Sequence, residues 1–227
     1  MIAATGSEYI TSDSPIHAYY MTVSGHANYN FDRNSMARKH QQEVAGLPYS
    51  EACRAYIACN MELDQALADL IEQLDAAGVL EKTVICLTAD HYPYGLTNDQ
   101  ISELAGHEIE STIELHKNSL ILWNSAMEDP VIVDKACSSI DVVPTLLNLF
   151  GIEYDSRLLT GKDILSDAEG YVWMTSNNSF ICGNIMYNSR TRAVTDLEGN
   201  TIQISEDELN QLKDKGTLMV RMNSLLI

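Results

Sequence analysis

An α/β layered domain with a mostly parallel, mixed sheet, followed by a small β-meander and a terminal helix, is the fold class this sequence predicts. Three observations predict it. Two apolar runs without alternation, TVICLTA at 83–89 and SLILW at 119–123, carry the pattern of strands buried on both faces of a largely parallel sheet. Capped helical periodicities alternate with such runs up to about residue 165. Beyond about residue 169 the texture changes to short strand-like pieces separated by Asn-rich and Gly-containing turns.

Each element has its own justification. Residues 16–23 (IHAYYMTV) are β-branched and aromatic and run into SGHANYN, which predicts a strand ending in a loop that carries His26. Ser50 is a good N-cap, and Tyr56, Ile57, Leu63, Leu67, Leu70, Ile71 and Leu74 recur at three- and four-residue steps until Gly78. This predicts an amphipathic helix of about 25 residues. The run 83–89 stops at Asp90-His91-Tyr92-Pro93. Thr97 with Gln100 is a capping-box pattern for a short helix that ends near Gly106. The run 119–123 follows His116-Lys117, and then Ser139 or Asp141 caps a helix with Pro144 in its first turn and Gly151 at its end. YVWMT, FICGNIMY and TRAVTDL form the meander, and Ser205-x-x-Glu208 opens the last helix. Glu206, Asp207 and Glu208 complement the dipole of its first turn. Residues 1–168 thus make one α/β body and 169–227 a β-rich appendix with a terminal helix belonging to the same domain.

Composition narrows the function. The chain has 227 residues, of which 45% are hydrophobic, ample for a packed core. Asp plus Glu number 32 against 14 Lys plus Arg, a formal charge of −18. No unaided electrostatic grip on nucleic acid or an anionic membrane surface is expected of it. A phosphate or sulfate ester would need a bound divalent cation to supply positive charge. The five cysteines, Cys53, Cys59, Cys86, Cys137 and Cys182, show neither C-x-x-C nor zinc-finger spacing and read as small buried hydrophobes. No apolar run approaches the ~18 residues of a membrane span, and no signal peptide opens the chain, which reads as soluble. The abrupt, helix-like start at Met1 has the character of a cut within a larger protein.

Ligands of α/β sheets gather at the carboxyl ends of strands. His26 and the adjacent Asp90 and His91 satisfy that placement, and an Asp beside a His offers one cation a hard oxygen and a borderline nitrogen. By position alone each also fits a plain loop or turn residue. His116 precedes its strand, so it joins the same end only if that strand is antiparallel. His17, His40 and His107 read as surface or structural. Ser24 lacks an elbow or oxyanion glycines and is not a nucleophile. Asp64 fits a solvated stripe edge better than a buried carboxylate.

The order of these pieces carries a resemblance. LDQALADLIEQLDAAGVLEKTVICLTADHYP at 63–93 resembles the sulfatase and lipoteichoic-acid-synthase branch of the alkaline phosphatase superfamily, where a helix leads into a buried strand and a metal-binding Asp-His. AYYMTVSGHANY is similar to that family's strand followed by T-x-S-x-H-x-x-Y. HKNSLILW, SSIDVVPTLLNLFGI and GKDIL follow in the family's order, and FICGNIMYNSRT resembles the synthase-like carboxy-terminal segment. The resemblance implies an alkaline-phosphatase-like layered sandwich of which this chain is the carboxy-terminal part. It implies Asp90 and His91 as ligands of a divalent cation, manganese first, with magnesium, calcium or zinc as alternatives. It implies His26 as a catalytic, substrate-binding histidine at the phosphate and His116 as a basic group near it. The family's nucleophile, a Thr or a modified Ser or Cys, has no counterpart here.

For the whole protein the resemblance implies transfer of glycerophosphate from a lipid head group through a covalent phospho-enzyme, in a bacterial protein anchored at the extracellular face of the cytoplasmic membrane. This chain alone would be inactive and would not insert into the membrane. Sulfate-ester hydrolysis and a non-catalytic paralogue that binds cell-wall polymer or a partner are the alternatives.

Overall fold

A computed structural model describes residues 2–225; Met1, where the sequence begins, lies outside them. The chain divides into two units, Met1–Asp129 and Pro130–Ile227. The first runs α1 (Ile2–Thr5), α2 (Ser35–Lys39), α3 (Glu51–Ala76), β1 (Ile85–Thr88), α4 (Asn98–Ala105) and β2 (Leu120–Trp123). The second runs α5 (Val142–Leu149), β3 (Tyr171–Trp173), β4 (Phe180–Cys182), β5 (Ile185–Asn188), β6 (Ala193–Thr195) and α6 (Glu206–Leu225).

The backbone of the first unit is α3, which serves two cores. Its amino-terminal half turns small residues inward: Cys53, Ala55, Ala58 and Cys59 are fully buried, and this lets α2 and the chain before it pack closely with Tyr29, Phe31, Val44 and Leu96. Its carboxy-terminal half turns larger residues, Leu67, Leu70, Ile71 and Leu74, toward Ile10, Ile85 and Trp123. Full burial of one Leu, as at Leu74, contributes about 1.5–3 kcal/mol. His40, buried, is a staple between α2 and α3. Its Nδ1 meets Glu43 at 2.9 Å and its Nε2 meets Glu62 at 2.8 Å. The Lys39 ammonium and then His40 hold the Glu62 carboxyl below the usual carboxylate range, against the opposing effect of burial. Asp64 is exposed, as its place at the stripe edge predicts.

α4 carries the predicted capping box, with Thr97 Oγ1 accepting from Gln100 N and Gln100 Oε1 accepting from Thr97 N at 2.9 Å. In the second unit Asp141 is the N-cap residue of α5, one of the two predicted, and Ser138 caps the 3-10 turn Ser139–Asp141 before it, with Asp141 accepting from Ser138 N at 2.8 Å. The other Asp141 oxygen accepts from Lys162 N, and Thr145 Oγ1 links Asp141 O to Ile164 N. The SSIDVVPT and GKDIL blocks are therefore bonded to each other, and Asp141 and Thr145 are buried joints between them.

Two expectations give way. Every strand pairing among the described residues is antiparallel, β1 with β2 in the register Ile85↔Trp123 to Thr88↔Leu120 and β3-β4-β5-β6 as a meander, where a mostly parallel sheet was predicted. An unalternating apolar run reports burial and says nothing of direction. The second is residues 16–23, which form no strand. Ile16, Tyr19, Met21 and Val23 are each at least half exposed, and Tyr20 is tied down through its hydroxyl to Tyr9 at 2.8 Å and Thr5 at 2.6 Å. β-propensity expresses fit to a pleated, half-buried surface, and no neighbouring strand supplies one here.

The meander forms as predicted, with FICGNIMY folding into two strands around Gly183-Asn184. Phe180 is fully buried, its ring 6.1 Å from that of Tyr171, 6.2 Å from Trp173 and 5.4 Å from Tyr187. Leu209, Leu212 and Met219 of α6 cover this cluster. Gly216 lies inside α6 against Trp173, where a Cβ would come within 2.1 Å of the indole. A mid-helix glycine costs about 1 kcal/mol against alanine, and here it admits the aromatic layer.

Candidate functional site

Three loops meet at one end of the β1–β2 ribbon. The first carries His26. Its N–H donates to Val23 O at 3.2 Å, and the next two residues, Ala27 and Asn28, have φ of 53° and 54°. Left-handed backbone at an alanine is strained, and such strain persists where the surroundings impose it. Tyr29 is what imposes it: the ring is buried edge-on to Tyr56, and the hydroxyl donates back to Gly25 O at 2.7 Å. Burial pushes the Tyr29 hydroxyl pKa up, so it stays a donor.

The second loop leaves β1 with Asp90, His91, Tyr92, Pro93 and Tyr94. His91 Nδ1 lies 2.7 Å from the Tyr92 carbonyl. A carbonyl only accepts, so Nδ1 carries a proton, and in the neutral ring Nε2 then keeps the lone pair that a metal ligand needs. That Nε2 lies 3.5 Å from Asp90 Oδ1, close enough for both to face one cation. The donor chemistry fits a divalent ion in part, two ligands of a shell, and no cluster of three or more His, Cys, Asp or Glu suited to a metal occurs among the described residues.

Tyr94 joins the two loops. Its hydroxyl lies 2.8 Å from His26 Nε2, and its ring stands 5.8 Å from His26 and 4.6 Å from His91. His26 and His91 are edge-to-face at 5.9 Å. The approach is close because residue 95 is glycine, where a Cβ would lie 2.8 Å from the Tyr29 ring.

The third loop brings His116. Because β2 runs antiparallel to β1, the residues before β2 lie at the end where β1 finishes, which is the condition for His116 to join. It stands edge-to-face with Tyr92 at 5.2 Å. Glu110 organises this loop by accepting from the backbone N–H of Thr112 and Ile113, each at 2.7 Å, and His107 bonds Glu114 at 2.7 Å.

His26, Asp90, His91 and His116 are thus gathered in one place, while His17, His40 and His107 stand outside it. Sequence reasoning missed Tyr29, Tyr92 and Tyr94. The signal was present in the tyrosine density of HYPYG and in the H-x-x-Y spacing, but a tyrosine in a loop states no partner. Residues 3–152 match the sulfatase family model. The chain belongs to the sulfatase family.

Among its relatives within that family, lipoteichoic acid synthases of several Staphylococcus aureus strains are 24% identical to it over 208 residues, 86% of this chain and 31% of theirs. The crystal structure of the lipoteichoic acid synthase LtaP from Listeria monocytogenes shares the fold with a TM-score of 0.68 at 20% identity, over 90% of this chain and 52% of that one. A structure from the metabolism of multiple glycosaminoglycans by Bacteroides thetaiotaomicron aligns at a TM-score of 0.53 and 14% identity, over 93% of this chain and 53% of that one. The chain therefore spans about a third of the length of the curated relatives it matches and half that of the solved ones. As a sulfatase-family chain it has the expected α/β fold with a meander and a terminal helix. No described helix is long and apolar enough to cross a membrane.

Proposed function

We propose that this chain is the carboxy-terminal part of a metal-dependent, synthase-type enzyme that transfers glycerophosphate from a lipid head group, with Asp90 and His91 holding the cation and His26 the phosphate group. The observation that carries the reading is the placement of the His91 ring: Nδ1 lies 2.7 Å from the Tyr92 carbonyl and Nε2 faces Asp90 at 3.5 Å. When bound, the divalent cation supplies positive charge to the ester oxygens, which a chain of net charge −18 otherwise lacks. Manganese is the first candidate, with magnesium, calcium or zinc behind it.

His26 has its Nε2 engaged by Tyr94, so the ring is oriented and Nδ1 is the atom that meets a phosphate oxygen. An imidazole placed there can bind or protonate such an oxygen. His116 adds a basic group on the side of Tyr92. The nucleophile belongs to the rest of the protein, as does anchoring at the outer face of the cytoplasmic membrane, and residues 1–168 act as part of the catalytic domain with 169–227 as its appendix.

Calorimetry with manganese tests this. Weak binding, with Kd well above about 1 μM, is expected of a two-ligand remnant and should disappear in Asp90→Ala and His91→Ala. Sub-micromolar affinity abolished by Asp90→Ala would instead show a self-sufficient site. The chain alone should turn over neither a phosphodiester nor a sulfate ester with manganese or magnesium present. Turnover of the sulfate ester would favour the hydrolase reading.

A further inference from the structure

The second unit contains a cavity of about 150 Å³ between α6, the start of β3 and the loop at 160–170. In a chain with 32 acidic and 14 basic residues, three lysines line it: Lys135, Lys162 and Lys215. Three carboxylates line it as well, and each is already engaged. Asp141 accepts from the backbone N–H of Ser138 and Lys162. Asp163 accepts from Asn148 Nδ2 and Leu165 N, and Glu169 from the Cys182 thiol.

Among the described residues none of the three lysines forms an ion pair. They rest on neutral groups instead. Lys135 Nζ donates to the carbonyls of Ser166 and Ala168, and Lys162 Nζ to that of Glu169 at 3.4 Å. Lys215 Nζ stands 4.3 Å over the Tyr171 ring and 3.9 Å from Cys182 Sγ. An ammonium has three N–H donors, so donors remain on all three. Leu218, Met219 and Met222 of α6 together with Ile164 give the cavity an apolar side. Charges beside an apolar wall are screened less than charges in water.

We propose that this cavity binds a tetrahedral oxyanion, a phosphate or sulfate group, between Lys135, Lys162 and Lys215. Engineered cavities of about 150 Å³ hold a benzene-sized molecule, so the site takes one such group with a short organic stub and excludes a chain of them. It lies wholly in the second unit and does not rest on the metal reading of Asp90 and His91.

The test is a titration of the isotope-labelled chain with inorganic phosphate and with sulfate, in a His26→Ala, Asp90→Ala background that removes the other candidate anion site. Sodium chloride at matched ionic strength is the reference. Saturable shifts are expected in the amides of residues 161–164 and 215–219 with phosphate or sulfate and not with chloride. Lys162→Gln with Lys215→Gln should weaken binding at least about tenfold. The charge-keeping Arg pair should stay within about threefold. Lys213→Gln on the same helix, whose ammonium sits over Tyr187 instead, should change nothing. If the double Gln variant does not fold, Lys162→Gln alone decides, since that side chain is exposed. Absence of saturable shifts in those amides, or an unchanged affinity in the Gln variants, overturns the proposal.

Discussion

The meander of the second unit and the β1–β2 ribbon of the first are both antiparallel, yet they are stabilised differently. The meander closes a core of its own: Phe180 has no exposure, three aromatic rings surround it and α6 lies over them. The ribbon has two strands only. Ile85 is its single buried residue, Ile121 is 52% exposed, and its importance lies in the loops at one end. A closed aromatic core fixes its geometry by packing. The ribbon end fixes its geometry by hydroxyl bonds from two tyrosines, Tyr29 and Tyr94, and by one close glycine.

The largest effect should come from breaking the closed core. Phe180→Ala should cost about 3–5 kcal/mol in denaturant unfolding of the second unit, followed by the near-UV signal of its aromatic layer. A loss below about 1 kcal/mol would show that the cluster relaxes freely and would erase the contrast. Next is Tyr29→Phe, which removes the bond to Gly25 O and should cost about 0.5–1.5 kcal/mol. Its sharper readout is the His26 ring, whose side-chain resonances should broaden while those of Phe180 stay put.

Thr97→Ala removes the cap of α4, the helix that follows the Asp90 loop, and should cost about 1 kcal/mol. It should leave the His26–Tyr94 contact intact, because Leu96 remains anchored in the core. Movement of Tyr94 in that variant would mean that α4, and not Tyr29, sets the site.

The smallest effect is a pH dependence of the His116 loop. Burial raises the Glu110 carboxyl, and hydrogen bonds from Thr112, Ile113 and Glu114 outweigh that and hold it below the usual range. Its contribution is present above the ordinary carboxylate value and is lost as pH falls through the lowered one. The hydrogen bond to Glu114 raises His107, so its contribution is full below the ordinary histidine value and is lost as pH rises through the raised one. The loop should therefore be tightest between about pH 4.5 and 6.5. Amide exchange across residues 107–116 checks this, and a flat profile there would leave the loop to packing alone.

What the sequence disclosed follows from the range of each interaction. Thr97 with Gln100, Ser205 with Glu208, the stripe of α3 and the turns of the meander are local chemistry, and each appears where its residues predict. Asp90 and His91 were legible because a strand end is a topological place. The direction of β2 was not, since an apolar run such as SLILW has the same pattern read either way. Residues 16–23 misled because β-branched content states a preference for sheet without supplying the sheet. Tyr94 was illegible as a partner of His26 because 68 positions separate them.

That separation also sets an order of assembly. Each neighbouring strand of the meander is met through a short turn, so its contacts can form early and at little cost in loop closure. The bond between Tyr94 and His26 closes a loop of 68 residues, and the ring of His116 waits on the pairing of β2 with β1. The ribbon end is therefore among the last parts of the chain to become native, and a slow step in refolding should be felt there first.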